Sequence, residues 1–180
     1  MDTIEMQAIM EAIIYVADDP VKMDQFKEVF PEEDADAIRQ ALVSLVESFN
    51  SRQGGMLIRE VAGGWRMTTR PEHHEQIRSY LKTRPSAKLS MAALETLAVI
   101  AYKQPVTLAE ILAIRGKKSS TALQTLLERK LVAILGRKAV VGRPILYGTS
   151  KEFLIHFGLN SLSDLPTLEE FAQIAGEQLS

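Results

Sequence analysis

Two lysines and two serines stand in a row at Lys117-Lys118-Ser119-Ser120, and three more cations, Arg137, Lys138 and Arg143, follow downstream. Ammonium groups, hydroxyls and a helix start are groups that a phosphate oxygen or a carboxylate can use. The alternative for the same residues is a solvated basic face. Five cations on phosphates would give a salt slope of roughly −4 to −5, which is weak to moderate nucleic-acid binding. No Arg/Asn set suited to base edges stands out, so such binding would be poorly sequence-specific.

The residues available for catalysis are fewer. His73 and His74 are adjacent, so on a helix they diverge by about 100° and cannot share a ligand. They lie between Glu72 and Glu75, on what reads as a solvated helix. His156, between Ile155 and Phe157, reads as a half-buried helix residue. No H-x-x-x-H pair, Gly-x-Ser-x-Gly elbow or Walker-type loop occurs. The chain has no cysteine, which excludes disulfides, thiolate zinc sites and a thiol nucleophile. The 23 carboxylates are too many to single out any pair. The expectation is a protein that is not an enzyme, with no metal and no cofactor.

The formal net charge of the 180 residues is −2. It conceals three blocks: −5 over residues 1–84, +8 over 85–151 and −5 over 152–180. An acidic–basic–acidic chain needs a separate reading of each block. No uncharged apolar run approaches the ~18–20 residues that span a bilayer. The start, Met1-Asp2-Thr3-Ile4-Glu5, lacks a basic signal-peptide region. A cytoplasmic protein is expected.

The elements that must position these groups repeat at a spacing of 85. Ile9 falls on Leu94, Ala12 on Leu97, Ile13 on Ala98 and Ile14 on Val99. Pro20-Val21 falls on Pro105-Val106, Phe26 on Ile111, Ile38 on Leu123, Ala41 on Leu126 and Val46 on Leu131. Each copy reads helix, helix, helix, hairpin. In the first, apolar stripes predict a helix over 4–17, a short one over 22–29, and a third beginning at Pro31-Glu32-Glu33. Met56–Val61 and Trp65–Thr69 predict strands joined at Gly63-Gly64, and a further helix is expected over 72–82. In the second, Ser90 and Thr107 are cap residues, with Glu110 completing a capping box. Ser119 or Ser120 starts the third helix, and residues 136–143 form the turn between two strands. The fold class expected is mainly α with small β-hairpins: two tandem winged helices, over 1–84 and 85–160, followed by an acidic tail over 161–180. Thr83-Arg84-Pro85-Ser86 is the expected linker.

The two copies differ in charge where a third helix would enter a DNA groove. The first presents Glu32, Glu33, Asp34 and Asp36, which repel phosphate; the second presents Lys117 and Lys118. Gly142-Arg143-Pro144 suits a wing turn or a partner contact. The first helix carries a wide apolar face that includes Met6, Met10 and Ile14. It is either a helix buried between domains or the seam of a homodimer. Leu159, Leu162 and Leu165 are expected to pack back on the second domain.

A long stretch of the second copy resembles the segregation and condensation protein B family of bacteria. The residues are Leu94-Glu95-Thr96-Leu97-Ala98-Val99-Ile100-Ala101-Tyr102-Lys103-Gln104-Pro105-Val106-Thr107, then Ile114-Arg115-Gly116, Leu126-Leu127-Glu128-Arg129, Gly142-Arg143-Pro144 and Leu146-Tyr147-Gly148-Thr149. Looser matches in the first copy include Val61-Ala62-Gly63-Gly64-Trp65-Arg66. The resemblance implies a non-enzymatic subunit of a condensin-like complex, associated with the nucleoid and acting in chromosome condensation and partition during cell division. Members pair through their N-terminal winged helices and bind a kleisin, segregation and condensation protein A. The kleisin bridges the heads of a structural maintenance of chromosomes ATPase. On this reading Lys117, Lys118, Ser119, Ser120, Arg137, Lys138 and Arg143 form a partner surface, with weak nonspecific DNA contact an addition. The other reading is a winged-helix transcription regulator that binds DNA through the second copy.

Overall fold

The computed structural model describes residues 1–81, 89–116, 119–167 and 170. Lys117, Lys118, the expected linker and most of the expected tail lie outside the described residues. The chain divides into two compact units, Met1–Ser86 and Ala87–Ser180.

The first unit begins with α1 (Thr3–Val16), whose residues Met6, Met10 and Ile14 recur every fourth position and form its buried stripe. Asp18-Asp19-Pro20 turns the chain into α2 (Met23–Val29), which contributes Phe26 to the core. α3 (Ala35–Ser51) starts later than Pro31-Glu32-Glu33 suggests. Asp34 sets its start, because the Asp34 carboxylate accepts a hydrogen bond from the Asp36 N–H at 3.1 Å and so satisfies an otherwise orphaned donor. Ile38, Ala41, Leu42 and Leu45 face the same core.

β1 (Met56–Val61) and β2 (Gly64–Thr69) form an antiparallel hairpin. Its two-residue turn is Ala62-Gly63, with φ of 52° and 73°, rather than Gly63-Gly64. Gly64 already belongs to the strand. A Cβ there would lie 2.8 Å from the Pro20 carbonyl oxygen, so glycine is needed for the close backbone approach. That approach carries a bridge: Val21 N–H donates to Trp65 O and Trp65 N–H to Val21 O, both at 2.8 Å. α4 (His74–Leu81) follows a 3₁₀ turn at Pro71–His73.

The second unit repeats this order. α5 (Met91–Lys103) is capped by Ser90, whose hydroxyl accepts from Ala93 N–H at 3.2 Å. β3 (Val106–Thr107), α6 (Leu108–Arg115), α7 (Ser119–Glu128), β4 (Val132–Arg137) and β5 (Ile145–Thr149) follow. The sheet order is β3-β5-β4, antiparallel throughout. Leu97, Ile100, Ile111, Leu123 and Leu126 form the centre of the core, closed by Phe153 of α8 (Lys151–Phe157). Leu159 and Leu165 pack against this core, and the Tyr102 hydroxyl donates to Pro166 O at 2.7 Å. Leu162, between them, is exposed.

The spacing of 85 holds from the bridge into the third helix. Val21 and Val106 each pair with an aromatic residue, Trp65 and Tyr147, and the pairs Phe26/Ile111, Ile38/Leu123 and Ala41/Leu126 are all buried. In the first helix it fails. α1 reaches its C-cap at Ala17, two residues further from Pro20 than Gln104, the C-cap of α5, is from Pro105. Burial therefore matches at a spacing of 87, with Met6 on Ala93 and Met10 on Leu97, instead of Ala12 on Leu97. It fails again after α7, which has 10 residues against 17 in α3, so Leu131 lies beyond its helix and Val46 within its own.

Candidate partner-binding surface

Glu110 joins three elements of the second unit. It stands in the first turn of α6, where its carboxylate accepts from Thr107 N–H at 2.7 Å and from the Thr107 hydroxyl at 2.8 Å. Glu110 N–H donates back to Thr107 Oγ1 at 3.3 Å, completing the capping box. Its other oxygen accepts from Lys138 Nζ at 2.6 Å, which fastens the wing to α6. The Lys138 hydrogen bond, with help from Thr107, holds the Glu110 carboxyl at about 2 against an ordinary 4.5.

The expected partner surface therefore separates into parts. Lys138 is half-buried and its charge is answered by Glu110. Ser119 is not a surface residue. It is 3% exposed, and its hydroxyl donates to Gly116 O at 2.6 Å at the start of α7. Ser120, Arg137 and Arg143 are exposed. Arg137 donates to Arg143 O at 3.1 Å across the wing, and Lys138 N–H donates to Pro144 O at 2.8 Å. Gly142-Arg143-Pro144 is thus a wing turn, with Arg143 at a φ of 38° that a non-glycine residue rarely adopts.

Four apolar residues on the same wing escaped the sequence reading. Ile134 and Leu135 on β4 are 59% and 54% exposed, and Val140 and Val141 stand out at the tip. The available signal was the composition of the tip: Ala139-Val140-Val141 sits where a hairpin normally carries polar turn residues.

In the first unit Met6, Met10 and Ile14 are corrected as seam candidates. They are 3%, 0% and 2% exposed within their own unit, because that stripe covers α3 and the hairpin. The outward side of α1 carries Ile4, Tyr15 and Val16. Beside it runs an open groove lined by Ala8, Glu11, Ala12, Tyr15, Phe49 and Met67. Arg52 closes one side, its guanidinium 4.8 Å from the Phe49 ring centre and 3.3 Å from the Glu11 carboxylate.

The remaining candidates for chemistry stay apart. His73 ends the turn before α4 and His74 begins α4, both exposed, and His156 is exposed, with its ring edge-on to Phe157. Among the described residues no group of three acidic or histidine side chains is placed to hold a metal ion, and no helix is long and apolar enough to cross a membrane.

Residues 8–168 match the family described as segregation and condensation complex subunit ScpB. The chain belongs to that family. A ScpB relative, segregation and condensation protein B of Syntrophotalea carbinolica, is 48% identical over the whole chain and 90% of its own length. The protein of the same name from Desulforamulus reducens is 42% identical over 97% of this chain and 95% of its own. Among solved structures, ScpB from Mycobacterium tuberculosis is 33% identical, covers 88% of this chain and 98% of its own, and superposes with a TM-score of 0.43. The ScpB match takes in α6 to α8, and with them the wing and its apolar strand, as well as nearly all of the first unit.

Proposed function

We propose that the chain is a non-enzymatic, dimeric subunit of a bacterial condensin-like complex. It binds the kleisin, segregation and condensation protein A, and through it the heads of the structural maintenance of chromosomes ATPase. It acts in the cytoplasm on the nucleoid, in chromosome condensation and partition. Membership of the ScpB family over residues 8–168 is the observation that carries this reading.

The divergence of the two units supports it. The first keeps acids at the start of α3 and an apolar outward side on α1, which suits pairing between copies. The second keeps the cations and an apolar wing, which suits a protein partner of opposite charge. With Lys138 held by Glu110, few free cations remain on the wing, so DNA contact there is weak and nonspecific.

The test is co-purification of the tagged chain with the kleisin, repeated after charge reversal at Lys117, Lys118, Arg137 and Arg143. Kleisin and duplex DNA are scored separately. Retention of kleisin by the native chain is expected; nanomolar binding of one DNA sequence at physiological salt, with no kleisin retained, would favour a transcription regulator instead.

A further inference from the structure

β4 is the outer strand of its sheet, paired with β5 on one side and, among the described residues, with no strand on the other. Ser150 N–H donates to Leu131 O at 3.2 Å, and Val132 pairs with Thr149 in the next position. Antiparallel pairs alternate, so Val132 and Ile134 turn their own N–H and C=O groups away from β5; Val132 is buried in the core, and Ile134 is the one of the two that is exposed at the open edge. An open edge with apolar side chains is a template for another strand, and proteins that do not use such an edge place charge on it.

The first unit does place charge there. Glu60 pairs with Trp65, as Ile134 pairs with Tyr147, and Arg59 precedes it. The second unit has Ile134 in the place of Glu60 and Ala133 in that of Arg59; Ile134 and the Leu135 that follows are both more than half exposed. The register shifts between Ile134 and Gly136, a bulge at Leu135 of the kind that re-aims a side chain at sheet edges. Residues 129–144 carry five cations and no acid, and one of the five, Lys138, is already paired with Glu110. The tip at Val140 and Val141 offers a phosphate nothing and an apolar side chain a contact.

We infer that the open edge of β4 receives an extended segment of the kleisin, one in which acidic and apolar residues alternate, as an added antiparallel or parallel strand. This rests on the kleisin reading above. Main-chain hydrogen bonds to Ile134 supply affinity, Ile134 and Leu135 supply apolar contact, and the wing cations select acids.

The experiment titrates purified kleisin into the full chain and into Ile134→Lys and Ile134→Pro. Proline at this edge removes a donor that β5 does not use, and lysine adds to the charge that attracts acids, so neither change mimics simple electrostatic loss. Each variant is first required to match the native chain in circular dichroism and in mass. The expected result is at least tenfold weaker kleisin binding for both, with slowed amide exchange at Ile134 when kleisin binds the native chain. Native binding retained by both variants, or kleisin binding that leaves the Ile134 amide unprotected, overturns the edge site while leaving the kleisin reading intact. Protection of the same amide by a 30-base-pair duplex and not by kleisin overturns it in favour of DNA. If the native chain binds no kleisin at all, the kleisin reading falls, and the edge proposal with it.

Discussion

Glu60 and Ile134 occupy the same place in the two units. Each lies opposite an aromatic residue, Trp65 or Tyr147, that pairs on its other side with the valine linking the first helix to the second. One fold has thus been finished twice, once with a charged edge and once with an apolar one. The surrounding charge follows the same division, acidic in the first unit and basic in the second.

The close approach at Gly64 makes the first bridge sensitive to a single methyl group. Gly64→Ala would push against Pro20 O and Val21 O, both within 2.9 Å of the new carbon. Backbone cannot yield as a side-chain tip can, so the loss expected is about 1–3 kcal/mol in urea unfolding. Gly54→Ala, where nothing lies within 4 Å, is the matched control and stays near neutral.

Acid should loosen the wing through Glu110. Its carboxyl titrates at about 2 in the folded protein and at 4.5 ordinarily, so the unfolded chain takes up the proton first. The stabilisation is complete above pH 4.5 and is lost as pH falls toward 2. Glu110→Gln keeps an acceptor for the Thr107 cap but loses the charge offered to Lys138. The native chain should therefore melt higher than the variant at pH 7, with the two melting temperatures converging at low pH. A difference independent of pH would remove Glu110 as the cause.

Charging the two sides of α1 should have opposite consequences. Met10→Lys puts an ammonium into a fully buried site and should unfold the first unit, at a cost above about 4 kcal/mol. Ala12→Glu, on the outward groove, should leave the melting temperature unchanged within a few degrees and yield monomers by light scattering. A stable dimer from Ala12→Glu would place the seam on another surface.

Gln104 holds the end of α5 to β5. Its side-chain oxygen accepts from Thr149 N–H at 2.8 Å, and its amide donates to Ala101 O at 3.0 Å. Gln104→Ala leaves the Thr149 donor without this partner and should cost about 1–2 kcal/mol. Faster hydrogen exchange at the Thr149 amide is the local readout.

The order of elements was legible in the chain because apolar spacing, cap residues and the hairpin pattern are local signals. The fold class followed from finding that order twice. What misled was the ungapped register. Asp18-Asp19 adds two residues outside any apolar stripe, which shifts α1 against α5; the wide apolar face of α1 suggested an interdomain helix or a dimer seam at Met6, Met10 and Ile14, and all three lie in the core of their own unit. The site was less legible for a related reason. Nothing near Lys138 in sequence announces Glu110, 28 residues away, and nothing near Ser119 indicates that its hydroxyl would be buried against Gly116 O. The open edge of β4 depends on strand order, which only the assembled sheet defines.

The most direct test is the light-scattering mass of the species that elutes when the chain is mixed with the kleisin at micromolar concentration. Two copies of a 20.0 kDa chain should give about 40 kDa alone, and a single heavier peak containing both proteins on mixing. A peak near 20 kDa that the kleisin neither joins nor shifts would contradict the account.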